Sequence, residues 1–161
     1  MTLDLANLSA ISERLNSLHD CPFDLDQAQL NCETHEWLGV FLRPVWDAPE
    51  AQHRRRAFLI LESQLPVVEA RLRLRMVNAV RLVDDQRIGQ YSFNRVERIK
   101  GGAQLIFNER LKIELAFNGE PAATYEEVPV ADIRAVYRQI LLVQTGPALQ
   151  FAPGASSRWA V

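Results

Sequence analysis

The sequence A-R-L-R-L-R-M at residues 70–76 alternates apolar and cationic residues one for one. In a β-strand, successive side chains point to opposite faces, whereas a helix would spread the three arginines around its circumference. The stretch therefore predicts a strand at the centre of the fold. Its buried face would carry Ala70, Leu72, Leu74 and Met76, and its solvated face Arg71, Arg73 and Arg75.

Length and charge limit the classes of protein to consider. A chain of 161 residues is of single-domain size and can bury one substantial core. We expect one domain over 1–161, with an ordered core at about 3–145 and a loosely ordered tail at 146–161. The net charge of −2 gives no overall attraction to nucleic acid or to anionic membranes.

Residue usage favours a bacterial protein of the cytoplasm. Of the 18 basic residues only Lys100 and Lys112 are lysine, a bias typical of GC-rich genomes. Two cysteines, Cys21 and Cys32, are too few for a disulfide framework and are expected to be free thiols. Neither a signal peptide nor an apolar run of about 20 residues is apparent, so we predict no membrane association.

Helical periodicity appears at both ends of the chain. Near the N-terminus the apolar residues Leu8, Ile11, Leu15 and Leu18 form one stripe and predict a helix over Thr2–Leu18. Beyond Pro129 a similar spacing predicts a second helix, with the apolar residues Ile133, Val136, Tyr137, Ile140 and Leu141.

Short alternating runs occupy the middle of the chain and predict strands. In the clearest hairpin, Leu105–Phe107 is followed by Leu111–Phe117, and Gly101-Gly102 precedes it as a tight turn that permits positive φ. The predicted fold class is α+β. It consists of an antiparallel β-sheet or partly closed barrel of about six to nine strands, with an N-terminal helix and a C-terminal helix packed on it.

Residue types suited to metal binding or catalysis are present, but their spacing is poor. His19-Asp20 resembles a metal-ligand pair, yet its position predicts a helix end followed by a turn. Cys21, Cys32 and His35 lack the close pairs typical of structural zinc sites. Signatures of nucleophilic hydrolysis and of phosphate loops are also missing. We expect no catalytic residues, no metal and no cofactor.

Two groups of arginines are the candidate binding residues. Arg71, Arg73 and Arg75 line one strand face, and Arg54, Arg55 and Arg56 precede another strand. Together they could bind anions through charge-assisted hydrogen bonds. Acidic residues could instead neutralise them across strands, and the candidates are Glu62, Glu69, Asp84, Asp85, Glu109 and Glu114.

Residues 84–89, D-D-Q-R-I-G, resemble the D-x-S-x-x-G signature of PilZ cyclic-di-GMP receptor barrels. The resemblance implies a cyclic-dinucleotide site. Gln86 replaces the serine of the signature, and Arg54–Arg56 do not reproduce the R-x-x-x-R spacing of that family.

A second resemblance covers approximately His19 to Phe117. Leu18-His19-Asp20, a later Leu-x-Leu-x-x-x-Asn-x-Val pattern and the closing hairpin are similar to small bacterial α+β domains of uncharacterised function. Some of those domains are immunity proteins, which implies function through a binding surface rather than through catalysis.

The sequence thus favours a non-enzymatic bacterial domain of immunity or regulatory type that binds a macromolecular partner. The expected partner is a protein with an acidic surface, bound by the basic sheet face, and nucleic acid is not expected. The sequence also allows a homo-oligomer. The alternatives are a small-ligand receptor, such as a degenerate PilZ-like domain, and an unrecognised enzyme.

Overall fold

The computed structural model describes residues 2–57, 60–84, 91–108, 110–140 and 143–151. Among the described residues, about 71% are strand and 9% are helical. The elements in chain order are β1 (Thr2–Leu5), α1 (Leu8–Asn16), β2 (Pro22–Phe23), a 3-10 turn (Leu25–Gln27), β3 (Gln29–Asn31), β4 (Glu36–Pro44), β5 (Gln52–Ala57), β6 (Ile60–Val83), β7 (Tyr91–Ile99), β8 (Gly102–Phe107), β9 (Lys112–Ile140) and β10 (Val143–Phe151).

The described chain forms two compact units, and their boundaries fall within the long strands. The first unit comprises Met1–Leu42 and Glu69–Val128, and the second comprises Arg43–Val68 and Pro129–Val161. In the first, neighbouring strands follow the order β9, β8, β7, β2, β4 and β6, and β6 also pairs with β9. These six strands therefore form a closed barrel.

Apolar side chains from the barrel and from α1 build one core in the first unit. Leu72 and Leu74 of β6 are fully buried in it, together with Phe41, Phe93 and Leu105. The helix adds Ile11 and Leu15 to the same cluster, and Leu18 joins it from the turn that follows the helix. Burial of each such side chain contributes about 1.5–3 kcal/mol of hydrophobic free energy, so this core is the main source of stability.

The predicted α+β class with two terminal helices is wrong, and the C-terminal helix is its largest error. Residues 130–140 continue strand β9, and β10 pairs with them, for example Ile133 with Phe151 and Ala135 with Leu149. The β-branched residues of this segment favour an extended backbone. Strand β10, which follows in the sequence, supplies the hydrogen bonds that hold this segment as a strand rather than as a helix.

The N-terminal helix is shorter than predicted. Thr2–Leu5 forms strand β1 and pairs with β9, whereas α1 covers only Leu8–Asn16. The cap is Asn7, whose side chain accepts a hydrogen bond of 2.9 Å from the amide of Ala10. An uncapped first turn would leave amide donors unsatisfied, so Asn7 fixes where the helix begins.

A charged cluster fixes α1 to the barrel. The Arg14 guanidinium donates to the Glu127 carboxylate at 2.7 Å and lies 3.9 Å from the centroid of the Tyr125 ring. The Tyr125 hydroxyl donates to the same carboxylate oxygen at 2.7 Å. These contacts join the helix to β9 through a region where Tyr125 is fully buried.

The predicted alternation along β6 is confirmed up to residue 75 and fails at Met76. Ala70, Leu72 and Leu74 are buried, but Met76 is 42% exposed and Val77 takes the next inward position. Met76 has a φ of 68°, in the left-handed region. A residue in that conformation shifts the alternation by one, as in a β-bulge.

Gly39 of β4 lies beneath the indole of Trp37. A Cβ atom at this position would be 2.5 and 2.8 Å from two carbons of the Trp37 ring, which is itself 1% exposed. We therefore expect Gly39→Ala to displace the ring and to lower the free energy of unfolding by about 1–3 kcal/mol, as overpacking does in buried sites. Chemical denaturation measures this loss, and an unchanged midpoint would contradict the packing.

Candidate functional site

The arginine face is defined as Arg71, Arg73 and Arg75 on β6. Their neighbours in sequence, Leu72 and Leu74, point into the core, so the three guanidinium groups are directed to the outside of the first unit. This confirms the geometry that the alternating sequence predicts. Whether the face can bind an anion depends on which of its charges are already paired.

Arg71 is paired within its own strand. Its guanidinium donates to Glu69 through Nε at 3.2 Å and through Nη2 at 2.9 Å. Glu69 is a buried residue, and the Arg71 side chain is 34% exposed. A buried carboxylate needs this partner, so Arg71 stabilises Glu69 and is only in part available to a ligand.

Arg73 and Arg75 are exposed, and neither forms an ion pair with another described residue. Of the acids that the sequence offered as neutralising partners, Asp85 and Glu109 lie outside the described residues, and two others pair with arginines outside the arginine face. Glu114 lies 3.4 Å from Arg81, and Glu62 lies 3.1 Å from Arg138. Two neighbouring guanidinium groups on one strand face are therefore open to an external partner.

Arg73 borders a groove of about 360 Å³ on the first unit. The other lining residues are Gln29, Leu30, Asn31, Glu36, Trp37 and Leu38. In the β3–β4 pairing Gln29 lies opposite Leu38, and Asn31 lies opposite Glu36. Residues that pair directly across strands share a face, so the groove has amide groups and Leu38 beside the Arg73 charge. Glu36 is its one described acidic residue.

Nothing in the sequence pointed to this groove. Gln29, Asn31 and Leu38 are ordinary residues in short strands, and they meet Arg73 only because β4 pairs with both β3 and β6. Such pairing depends on the closed topology rather than on local pattern.

The arginines at 54–56 belong to the second unit. They lie on β5, which pairs with β6, and not in the loop that precedes a strand as the sequence predicts. Arg54 and Arg55 are exposed, and Arg54 donates to Gln52 at 3.2 Å. The Arg56 side chain lies outside the described part of the chain. These residues are therefore described with the second unit, and the name arginine face is kept for the three arginines of β6.

The residues considered for metal binding have structural contacts. His19 contacts the carbonyl oxygen of Asn94 at 2.8 Å through Nδ1, and Asp20 takes a turn conformation with φ of 61°. Cys21 is buried, Cys32 is exposed, and neither forms a disulfide with a described residue. Among the described residues, no group of three or more His, Cys, Asp or Glu side chains could hold a metal ion.

The PilZ-like stretch is described only at its first residue. Asp84 accepts a hydrogen bond from the hydroxyl of Tyr91, a buried side chain. Residues 85–90, with Gln86 and Gly89, lie outside the described residues. This contact ties Asp84 to the barrel and leaves the cyclic-dinucleotide resemblance a prediction.

Comparison of the chain with protein-family models, with curated proteins and with solved structures finds no match. Within the described ranges, the helix is too short and too polar to cross a bilayer. Function must therefore be inferred from the geometry and charge of the site itself.

Proposed function

We propose that this protein is a non-enzymatic binding module of regulatory or immunity type. Its binding surface is the arginine face with the adjoining groove, and its partner is a protein that presents an acidic segment. The observation that carries the proposal is the pair of exposed guanidinium groups of Arg73 and Arg75 on strand β6, with which no described acid forms an ion pair.

The surroundings of Arg73 suit a protein partner. Guanidinium groups bind carboxylates through two parallel hydrogen bonds, and the strand holds them in a fixed orientation. The amide of Gln29 can bond to a partner backbone, and so can the amide nitrogen of Asn31, whose Oδ1 already accepts from the amides of Glu33 and Thr34. Leu38 offers a small apolar contact. An interface with a modest apolar centre and a charged rim is typical of protein recognition.

A nucleic-acid partner fits less well. Binding to a phosphate backbone requires many cationic contacts, and the net charge of −2 repels a polyanion at long range. An acidic protein segment needs only a few short-range pairs. The proposal places the protein in the cytoplasm, where a reducing environment suits Cys21 and Cys32, which form no disulfide with a described residue.

The test uses an extended peptide of about eight residues in which glutamate alternates with threonine, so that its carboxylates share one face. We expect saturable binding that weakens as salt is added, because screening acts on exposed pairs. The double variant Arg73→Gln, Arg75→Gln should weaken it by about tenfold or more, since each charged hydrogen bond contributes over 1 kcal/mol. Fluorescence anisotropy measures the affinity.

The control is Arg98→Gln combined with Arg134→Gln. Both arginines are exposed on strands, so this variant has the same net charge without touching the arginine face. An equal loss of affinity in both double variants would show that the effect follows from net charge alone, and it would contradict the proposal. Tighter binding of a short single-stranded RNA than of the acidic peptide would contradict the class of partner.

A further inference from the structure

A second concave surface lies at the β8–β9 hairpin of the first unit. The hairpin cleft, with a volume of about 410 Å³, is lined by Val83, Ile106, Phe107, Asn108, Arg110 and Lys112. Its size is near the lower end of the range for small-molecule sites. Three apolar residues line it beside an amide and two cations, so it combines an apolar wall with a cationic rim.

The two cations are not neutralised within the described part of the chain. Arg110 and Lys112 are exposed and form no ion pair there. Glu114, the next residue on the same face as Lys112, is held by Arg81 at 3.4 Å and by the Gln104 amide at 3.0 Å. Glu114 is therefore engaged by other residues, and Glu109, which precedes Arg110, lies outside the described residues.

Hydrogen bonds hold the backbone of the hairpin around the two cations. The amide of Phe107 donates to the carbonyl of Leu111, and the amide of Asn108 donates to the carbonyl of Ser92, both at 3.0 Å. The Asn108 side chain also donates to Asp20 at 3.1 Å. Leu111, between the two cations, is fully buried. The backbone that carries the two cations is therefore held in place before a ligand binds, which lowers the entropy lost on binding.

Arg110 occupies a position that favours glycine. Its φ of 65° is left-handed, a conformation that costs a residue with a Cβ about 1 kcal/mol. Hairpin loops of three residues ordinarily place glycine at this point. A strained arginine at the mouth of a cleft suggests that its guanidinium is retained for binding rather than for stability.

We infer that the hairpin cleft binds a phosphate monoester that carries a small apolar group. The dianionic phosphate would lie between Arg110 and Lys112, because a guanidinium and an ammonium together match its charge and its hydrogen-bond acceptors. The apolar group would lie against Val83 and Ile106, which are half-buried. This site is independent of the arginine face and of its proposed partner.

The probes are phenyl phosphate, inorganic phosphate and benzyl alcohol, titrated by calorimetry. We expect phenyl phosphate to bind with a Kd below about 1 mM and more tightly than either other probe. Lys112→Gln and Arg110→Gly should each weaken it by about tenfold. Arg110→Gly should also raise the melting temperature, because glycine relieves the left-handed strain.

Lys100→Gln is the matched control. Lys100 is an exposed lysine in the turn between β7 and β8, and it does not line the hairpin cleft. It should leave the affinity for phenyl phosphate within about twofold. The inference is overturned if the unaltered chain does not bind phenyl phosphate, or if Arg110→Gly and Lys112→Gln bind it as the Lys100 variant does. It is also overturned if inorganic phosphate binds as tightly, because the apolar wall would then have no role.

Discussion

Replacing Gly102 with alanine is expected to be among the most damaging single changes in this chain. Gly102 pairs with Ala116 at the start of β8, and a Cβ atom there would lie inside van der Waals contact with the carbonyl oxygen of Leu115. That oxygen belongs to the backbone of β9, which cannot move without breaking the β8–β9 pairing. We expect a loss of more than about 4 kcal/mol in the free energy of unfolding, an exceptional value for one methyl group.

Gly101→Ala provides the matched control. Gly101 has a φ of 75°, but no atom lies within 4 Å of a Cβ placed there. Its substitution should cost only about 1 kcal/mol, the penalty for the left-handed conformation. Urea denaturation of the two variants separates steric from conformational cost, and equal losses would contradict the close approach of β8 and β9.

Arg14→Gln is expected to produce the second large effect. The change removes the 2.7 Å ion pair with Glu127 and the stacking on Tyr125, and it leaves the carboxylate with its bond from the Tyr125 hydroxyl. The Glu127 side chain is only 10% exposed. Removal of one partner from a buried pair costs about 3–5 kcal/mol, and the partial exposure of Arg14 places the expected loss near 3 kcal/mol.

Two further variants make the Arg14 result specific. Glu13→Gln changes an exposed charge on the same helix and should alter stability by less than about 0.5 kcal/mol. In a double-mutant cycle, Arg14→Gln and Glu127→Gln together should cost less than the sum of the two single losses. Strict additivity would show that the two side chains do not stabilise the protein as a pair.

Local pattern was sufficient to predict part of the fold. The alternation at 70–75 and at 111–115 identified the inward residues of β6 and β9, because each stretch has one buried face. Gly101 was correctly placed in a turn with positive φ. Gly102 has a different role, since it allows close approach to Leu115, and no local signal distinguishes these two roles.

The errors arose where partners distant in sequence decide the conformation. A helix was predicted beyond Pro129, yet that proline, like Gly119 and Pro121, lies within β9, which runs from Lys112 to Ile140. Pairing with β1, β8 and β10 holds that strand together despite its glycine and prolines. Arg14 and Glu127 are 113 residues apart, so only the folded barrel brings them into contact.

The candidate site was predictable in its charges but not in its surroundings. The sequence identified Arg73 and Arg75, and it offered acids that might neutralise them. Only the structure shows that Glu69 pairs with Arg71 while Glu62 and Glu114 pair with arginines outside the arginine face. The groove beside Arg73 depends on β3, a strand of three residues that local patterns cannot position.

The most direct test of the account is to locate where the acidic peptide binds. Amide chemical shifts recorded by NMR during titration with the alternating glutamate–threonine peptide should change at 71–75 and at 29–38, the residues of the arginine face and its groove. A peptide with glutamine in place of glutamate should leave them unchanged. Shifts confined to β5 or to the hairpin cleft, with none on the arginine face, would contradict the proposed function.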